Sequence, residues 1–185
     1  MVQIETKHLI LREWLPEDLP FFAAINQDPR VMECLLKPLT KEETAAMIEK
    51  IQRHFKLHGF GLFACILKQT SNCIGFVGLS IPEFTAHFTP CVEIGWRLSS
   101  HAWGKGYATE AAKALLKAGF EQFNLQEIVS FTVPTNKRSI RVMEKIGMTR
   151  DLNGDFDHPK VPDNHLLKAH VLYRITKADY DKLSS

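Results

Sequence analysis

Short segments in which apolar residues cluster or alternate recur along the chain, and these segments predict β-strands. They are residues 9–11, 60–67, 73–81, 91–98 and 128–133. Near the end of the chain Val171, Tyr173 and Ile175 alternate with other residues, which predicts a last strand. We therefore expect a sheet to form the central layer of the fold.

Between these strands, apolar residues repeat at helical spacing. One helix follows Pro16, and a second begins at a capping box formed by Thr40 and Glu43 and ends at Gly59. The clearest helical stripe consists of Ala108, Ala111, Ala112, Leu115, Leu116, Gly119, Phe120 and Phe123. A short helix carries Ser139, Val142, Met143 and Ile146 on one face. The order β-α-α-β-β-β-α-β-α-β predicts an α/β (α+β) fold with a mixed sheet covered by helices.

Composition excludes several classes of protein. The 185 residues favour a single domain, residues 1–185, that is large enough to bury a core without disulfides. Because 23 basic residues face 21 acidic ones and no long block of like charge occurs, we expect neither a nucleic-acid partner nor a membrane partner. No apolar stretch approaches the roughly 20 residues that a transmembrane helix needs.

The four cysteines show none of the spacings of metal or redox sites. They are Cys34, Cys65, Cys73 and Cys91. We interpret them as small buried residues of a protein in a reducing compartment. Since the first residues also lack the apolar core of a signal peptide, we expect a cytoplasmic location.

Residues 91–110, CVEIGWRLSSHAWGKGYATE, carry the clearest chemical signal. Gly104 and Gly106 lie between a strand and the best helix, where glycines allow a ligand to approach the backbone. The unpaired N–H groups and the dipole of the helix N-terminus favour a phosphate, and Lys105 adds a mobile positive charge. A tight turn that binds nothing fits the same residues, and neither GxxxxGK[ST] nor GxGxxG occurs. These residues alone leave both interpretations open.

The sequence resembles the GNAT superfamily of N-acetyltransferases. Its fingerprint, Gln/Arg-x-x-Gly-x-Gly/Ala, is matched by residues 103–108 except that Trp103 replaces Gln or Arg. The phrase WGKGYATEA is typical of the ribosomal-protein-alanine acetyltransferase branch. The resemblance extends over nearly the whole chain, including LILREW, GFVGL, EIGWRL, NKRS and EKIGM.

The resemblance implies a mostly antiparallel sheet that splays between its fourth and fifth predicted strands, with acetyl-CoA as cosubstrate and no metal. It implies that the CoA pyrophosphate is bound by the turn and helix start, which comprise Trp103, Gly104, Lys105, Gly106, Tyr107, Ala108 and Thr109. The pantetheine arm would pair with backbone groups of Ile94, Trp96 and Leu98, and Asn136 would contact it from the other side.

Glu93 is the candidate general base, because an amine must lose its proton before it can attack a thioester. It interrupts an apolar strand and shares a side with Cys91 and Gly95, and apolar surroundings would raise its pKa. Two alternatives remain: Glu93 pairs with Arg97, or it only positions the substrate.

A proton donor for the departing thiolate is less clear. Many relatives have a tyrosine where this chain has Met143, and the resemblance suggests Ser139, one turn earlier, as the replacement. Alternatively, the Ser139 hydroxyl bonds locally at the helix start, and the thiolate leaves without an acid. A backbone amide of the fourth strand would polarise the thioester carbonyl.

The function predicted from these patterns is transfer of an acetyl group to a primary amine by direct attack in a ternary complex. The acceptor would be a protein N-terminus or a small-molecule amine, and the protein a monomer or homodimer. A non-catalytic acyl-CoA-binding module is the alternative. The acidic stretch 151–158 lacks the glycine and closing glutamate of a calcium loop, so we interpret it as a solvated loop. An open alternative is that Phe156 and His158 belong to the rim of the acceptor site and touch the substrate.

Overall fold

A computed structural model describes residues 3–183. Their strands form a central mixed sheet. The strands are β1 (Gln3–Glu5), β2 (Leu9–Arg12), β3 (Leu62–Leu67), β4 (Asn72–Ser80), β5 (Glu93–Leu98), β6 (Glu127–Thr132), β7 (Thr149–Arg150), β8 (Phe156–Asp157) and β9 (Ala169–Thr176). The helices are α1 (Leu19–Gln27), α2 (Pro29–Met32), α3 (Lys41–His58), α4 (Tyr107–Glu121), α5 (Lys137–Lys145) and α6 (Lys177–Leu183). None of the helices within these residues is long and apolar enough to cross a bilayer.

The strand order is β1-β2-β3-β4-β5-β6-β9-β7, with β8 paired to β9. Neighbours are antiparallel except β5 and β6, which are parallel because the long crossover through α4 joins them. Their register contains one pair, Glu93 with Val129, after which the strands diverge. This confirms the predicted mixed, mostly antiparallel sheet that splays between the fourth and fifth predicted strands.

Helices cover both faces of the sheet. Gly119 lets α4 lie close to β6, since a Cβ atom there would be 2.8 Å from Cδ1 of Ile128. On the opposite face α1 packs against β4, with the rings of Phe22 and Phe76 in edge contact at 5.8 Å. The core therefore consists of two layers, one on each side of the central strands.

The predicted capping box at α3 is confirmed. The Thr40 hydroxyl accepts from the Glu43 amide at 3.1 Å, and the Glu43 carboxylate accepts from the Thr40 amide at 2.8 Å. Gly59 ends the helix with φ of +77°. The helix that follows Pro16 and the helix that carries Met143 are also present, as α1 and α5.

The sequence patterns missed the shortest elements, namely β1, α2, β7 and β8. These segments contain two to four residues, which is too few for a helical or alternating period to show. The fourth predicted strand also begins two residues later than expected, at Glu93 rather than Cys91. The difference matters because it places Glu93 at the point where β5 still pairs with β6.

His54 ties α3 to the sheet and should make the protein sensitive to acid. Its Nδ1 donates to the Phe60 carbonyl at 2.8 Å, and its Nε2 accepts from the Ile81 amide at 3.1 Å. Only the neutral ring can make these two bonds at the same time, because Nε2 must be unprotonated to accept. Burial lowers the pKa of His54. The unfolded chain therefore binds the proton more readily, and the stability from these bonds is lost as pH falls below about 6.5.

We expect His54→Asn to cost about 1 kcal/mol of unfolding free energy at pH 8 and less at pH 5.5, measured by urea denaturation. The exposed His101 provides the control, because His101→Asn should leave the pH profile of stability unchanged. Equal losses at both pH values for His54→Asn would contradict this role.

Candidate active site

A cleft of about 660 Å³ opens where β5 and β6 separate. One end lies at the turn that contains Gly104 and Gly106, and the other lies beside Glu93 and Phe131. Side chains of α2 and α5 complete its walls. The divergence of two neighbouring strands thus creates a passage that leads from a helix N-terminus to a carboxyl group.

The glycine turn presents backbone N–H groups to the cleft. Gly104 and Gly106 have φ of +73° and +82°, a region that favours glycine, and a Cβ at either position would meet no atom within 4 Å. The amides of Tyr107, Ala108 and Thr109 have no partner in the preceding turn of α4, and all three residues line the cleft. Open space, unpaired donors and the helix dipole together form a site for an anion such as a pyrophosphate.

Two residues of the predicted turn are placed differently from the rest. The Trp103 amide donates to the Ser100 carbonyl at 3.3 Å, so it is not among the free donors. The Lys105 side chain is exposed and borders a separate depression, together with Phe21 and Asn72, rather than the cleft. Arg138 supplies a cation on the cleft side instead, since its guanidinium lies 4.3 Å from the centre of the Trp103 ring.

Backbone groups of β5 face the gap at alternate positions. The Ile94 carbonyl accepts from the Ser130 hydroxyl at 2.9 Å, and the Leu98 carbonyl accepts from the Trp103 indole at 2.9 Å. Because alternate residues of a strand direct their N–H and C=O to the same side, those of Trp96 face the same gap. Of the three predicted backbone partners, Trp96 is therefore the one whose carbonyl is left for an extended ligand.

Ser139 lies at the centre of a small polar network on the other wall. Its hydroxyl oxygen accepts from the Trp96 indole at 3.3 Å and from the Asn136 side-chain amide at 3.1 Å. Asn136 also caps α5 through the Ser139 amide at 3.2 Å and donates to Thr132 at 3.1 Å. With both lone pairs of the Ser139 oxygen occupied, its hydroxyl proton is left to donate.

Glu93 occupies the end of the cleft opposite the glycine turn. Burial raises the pKa of Glu93 to about 8, which places its proton loss in the range useful to a general base. The proposed pairing with Arg97 is not seen; the Arg97 guanidinium instead donates to the side-chain oxygen Oδ1 of Asn26 at 2.8 Å. Glu93 is therefore a carboxyl group whose surroundings favour its neutral form.

Aromatic and imidazole rings surround the Glu93 end of the cleft. Phe131, His158 and His170 line it, and His158 and His170 lie 5.0 Å apart. Burial and the neighbouring His170 lower the pKa of His158 to about 4, so this ring is neutral at physiological pH. Phe156 stacks 6.1 Å from Phe84 behind this surface. The predicted position of His158 at the border of the site agrees with the structure, whereas Phe156 supports the wall from behind.

Comparison with known proteins gives the family. Residues 8–149 match the family model of the acetyltransferase (GNAT) domain, which is well over half of the chain. The chain belongs to the GNAT family. It is therefore an acyltransferase, and the resemblance stated from its motifs is confirmed.

Curated and solved relatives agree with this assignment. The uncharacterized N-acetyltransferase YnaD of Bacillus subtilis is 34% identical over 151 residues, which cover 81% of this chain and 84% of that protein. A GNAT-family acetyltransferase from Bacillus anthracis superposes with a TM-score of 0.79 and 29% identity, covering 96% of this chain and 99% of that one. Ribosomal-protein-S5-alanine acetyltransferase from Vibrio fischeri shares the fold, with a TM-score of 0.75, 21% identity and coverage of 97% and 99%.

Sequence reasoning missed several residues that line the cleft of this GNAT protein. Phe131 lies in a predicted strand, whereas no pattern singles out His170, Arg138 or Arg141 as site residues. The alternation of β6 and β9 could have placed Phe131 and His170 on a common face, but not at the cleft. Their position depends on the splay of β5 from β6, which no local pattern encodes.

Proposed function

We propose that this protein transfers the acetyl group of acetyl-CoA to a primary amine by direct attack in a ternary complex. One observation carries the proposal: the gap between β5 and β6 connects the open N-terminus of α4 to Glu93 within a single cleft. An extended thioester bound by its pyrophosphate at one end would present its acetyl group near the carboxyl group at the other.

The residues present fit acetyl-CoA as a substrate. The amides of Tyr107, Ala108 and Thr109 would bind the pyrophosphate, with Gly104 and Gly106 leaving room for it. The backbone of Trp96 would pair with the pantetheine arm, and Asn136 would border it from α5. Ile94 and Leu98 would contribute less than the resemblance implies, because their carbonyls already have partners.

Glu93 is the proposed general base. The amine nitrogen forms a bond to the acetyl carbon, the carbon–sulfur bond breaks, and the proton of the amine passes to Glu93, directly or through water. A carboxylate with a pKa of about 8 accepts a proton from an ammonium group of similar pKa with little energetic cost. Positioning of the amine without proton transfer is the alternative that kinetics must separate.

Ser139 is the proposed proton donor to the departing thiolate, since its hydroxyl proton is free of the network around it, and solvent in the cleft would return a proton to the serine oxygen. We expect Ser139→Ala to lower kcat by only about tenfold, because a thiolate is a tolerable leaving group. Steady-state kinetics at saturating substrates measure this. A matched Ser100→Ala variant, whose hydroxyl bonds to Asp28 at 2.6 Å, should keep the wild-type kcat. Full activity in Ser139→Ala would show that Ser139 is not the proton donor and serves only in the hydrogen-bond network with Trp96 and Asn136.

Two classes of acceptor, protein N-termini and small-molecule amines, are to be compared by experiment. A turnover screen with acetyl-CoA, in which thiol release is recorded and the acetylated product is identified by mass spectrometry, tests the proposal directly. We expect thiol release that depends on an amine. Binding of acetyl-CoA without turnover on any amine would favour the alternative, an acyl-CoA-binding module. A cytoplasmic location and a monomeric or homodimeric state stay predictions.

A further inference from the structure

Arg97 is a charged side chain that lines the cleft and has no carboxylate partner within the described part of the chain. It lies on β5, its guanidinium is 5.5 Å from the centre of the Phe76 ring, and one of its nitrogens donates to Asn26. Among residues 3–183, no carboxylate oxygen lies within 4.0 Å of its nitrogens. Asn26 is neutral, so it satisfies a hydrogen bond without balancing the charge.

The charge of Arg97 is maintained in spite of its burial. Burial lowers the pKa of Arg97 to about 10, which still leaves the guanidinium protonated at neutral pH. A buried charge without a counterion is costly, and most such groups in proteins are paired. Arg97 is partly exposed where it lines the cleft, so an anion that balances its charge can approach it from the cleft.

A buried network fixes the orientation of Arg97. Asn26 is fully buried, and its side-chain nitrogen donates to the Thr44 hydroxyl at 3.1 Å. That hydroxyl in turn donates to the Thr40 carbonyl at 2.8 Å. Because the Asn26 nitrogen is held by Thr44, its oxygen faces Arg97. Two buried polar side chains, Asn26 and Thr44, thus position the Arg97 guanidinium at the cleft wall.

Glu93, Gly95 and Arg97 lie on the same side of β5, since they are two residues apart. Gly95 leaves the space between Glu93 and Arg97 open, because a Cβ atom there would meet only Oε1 of Glu93, at 3.7 Å. With about 3.3 Å per residue along a strand, the Cα atoms of Glu93 and Arg97 are about 13 Å apart. The surface is therefore a trough with a base at one end and a cation at the other.

We propose that the acceptor is an amine that carries a carboxylate, with the carboxylate bound by Arg97 and the amine held beside Glu93. This inference rests on the proposed acetyltransferase function and names its substrate class. The planar guanidinium binds a carboxylate through two parallel hydrogen bonds. Its other nitrogens stay available for them, because the contacts with Asn26 and with Sδ of Met47, at 4.0 Å, both use one nitrogen. The lengths of the two side chains reduce the span to roughly 5–10 Å, which corresponds to about two to six carbons between amine and carboxylate.

Matched acceptor pairs test the proposal. Each pair consists of a straight-chain amino acid, from β-alanine to 7-aminoheptanoate, and its carboxamide, and thiol release from acetyl-CoA gives kcat/KM. We expect at least one acid to exceed its amide by about 30-fold. In Arg97→Gln this preference should fall to within about threefold of unity, with the rate on the amide and the affinity for acetyl-CoA retained.

A second variant keeps Arg97 and balances its charge with a carboxylate placed beside it. Asn26→Asp supplies an internal carboxylate of the same shape, so it should abolish the preference for acids while the affinity for acetyl-CoA is retained; loss of the donor to Thr44 should lower its melting temperature without affecting this readout. A purely structural role for Arg97 predicts the opposite, full activity in Asn26→Asp. Arg53→Gln, which removes an exposed arginine near Glu49 on α3, is the charge control and should retain the preference.

The outcomes distinguish failure of the proposed role of Arg97 from failure of the proposed acetyltransferase function. Equal rates on acids and amides, equal losses on both in Arg97→Gln, or loss of acetyl-CoA affinity in that variant would overturn the role of Arg97. Turnover on no acid of the series, while acetyl-CoA binds, would overturn it as well. A wild-type protein that neither binds acetyl-CoA nor acetylates any amine would instead overturn the proposed function.

Discussion

Replacing Glu93 with glutamine should lower kcat by about 100-fold or more, because loss of a general base removes a contribution of about 10²–10⁴ to the rate. The wild-type kcat should rise about tenfold between pH 7 and pH 9, since Glu93, with a pKa of about 8, ionises over that range. Glu93→Gln should lose this rise. Steady-state kinetics at saturating substrates, with two acceptors whose amine pKa values differ, separate the titration of Glu93 from that of the amine.

The stability of Glu93→Gln serves as a control for its folding. Burial raises the pKa of Glu93 in the folded state, so its contribution to stability is present at low pH and is lost as pH rises through about 8. Glu93→Gln should therefore be at least as stable as the wild type at pH 9, as measured by thermal unfolding. A stable variant with an unchanged pH–rate profile would show that Glu93 only positions the substrate.

Replacing Gly106 with valine should raise KM for acetyl-CoA by about 100-fold and leave kcat at saturation within about threefold. The added side chain would enter the space in which the pyrophosphate is proposed to lie, and nothing else is within 4 Å of that Cβ. The φ of +82° adds a backbone cost of about 1–2 kcal/mol to any variant with a side chain.

Gly59 provides a control that matches this backbone cost. Its φ is +77°, a Cβ there also meets nothing within 4 Å, and it ends α3 rather than bordering the cleft. Gly59→Val should lose a similar amount of stability and keep the wild-type KM. If both variants raise KM equally, the effect of Gly106→Val reflects strain and not the loss of an anion site.

The part of the candidate site that is proposed to bind phosphate could be predicted from sequence because its signals are local. Gly104 and Gly106 precede a strongly periodic helix, and a glutamate in an otherwise apolar strand stands out without any knowledge of the fold. Such features depend on residues within about two turns of one another. The structure retains all three, with Gly106 as the N-cap residue of α4.

The acceptor part could not be predicted because it is assembled from distant segments. Asn26 meets Arg97 across 71 positions of sequence, and the surface beside Glu93 combines Phe131, His158 and His170 from separate elements. Local patterns also failed to assign a side to Lys105. An exposed loop residue can point either way, and the turn directs this one toward α1 and away from the cleft.

Calorimetric titration of the wild-type protein with acetyl-CoA and with acetylpantetheine tests the central claim most directly. If the N-terminus of α4 binds the pyrophosphate, acetyl-CoA should saturate one site per chain, and acetylpantetheine, which lacks the pyrophosphate, should bind about 100-fold more weakly. Equal affinities for the two ligands, or no measurable binding of acetyl-CoA, would contradict the account.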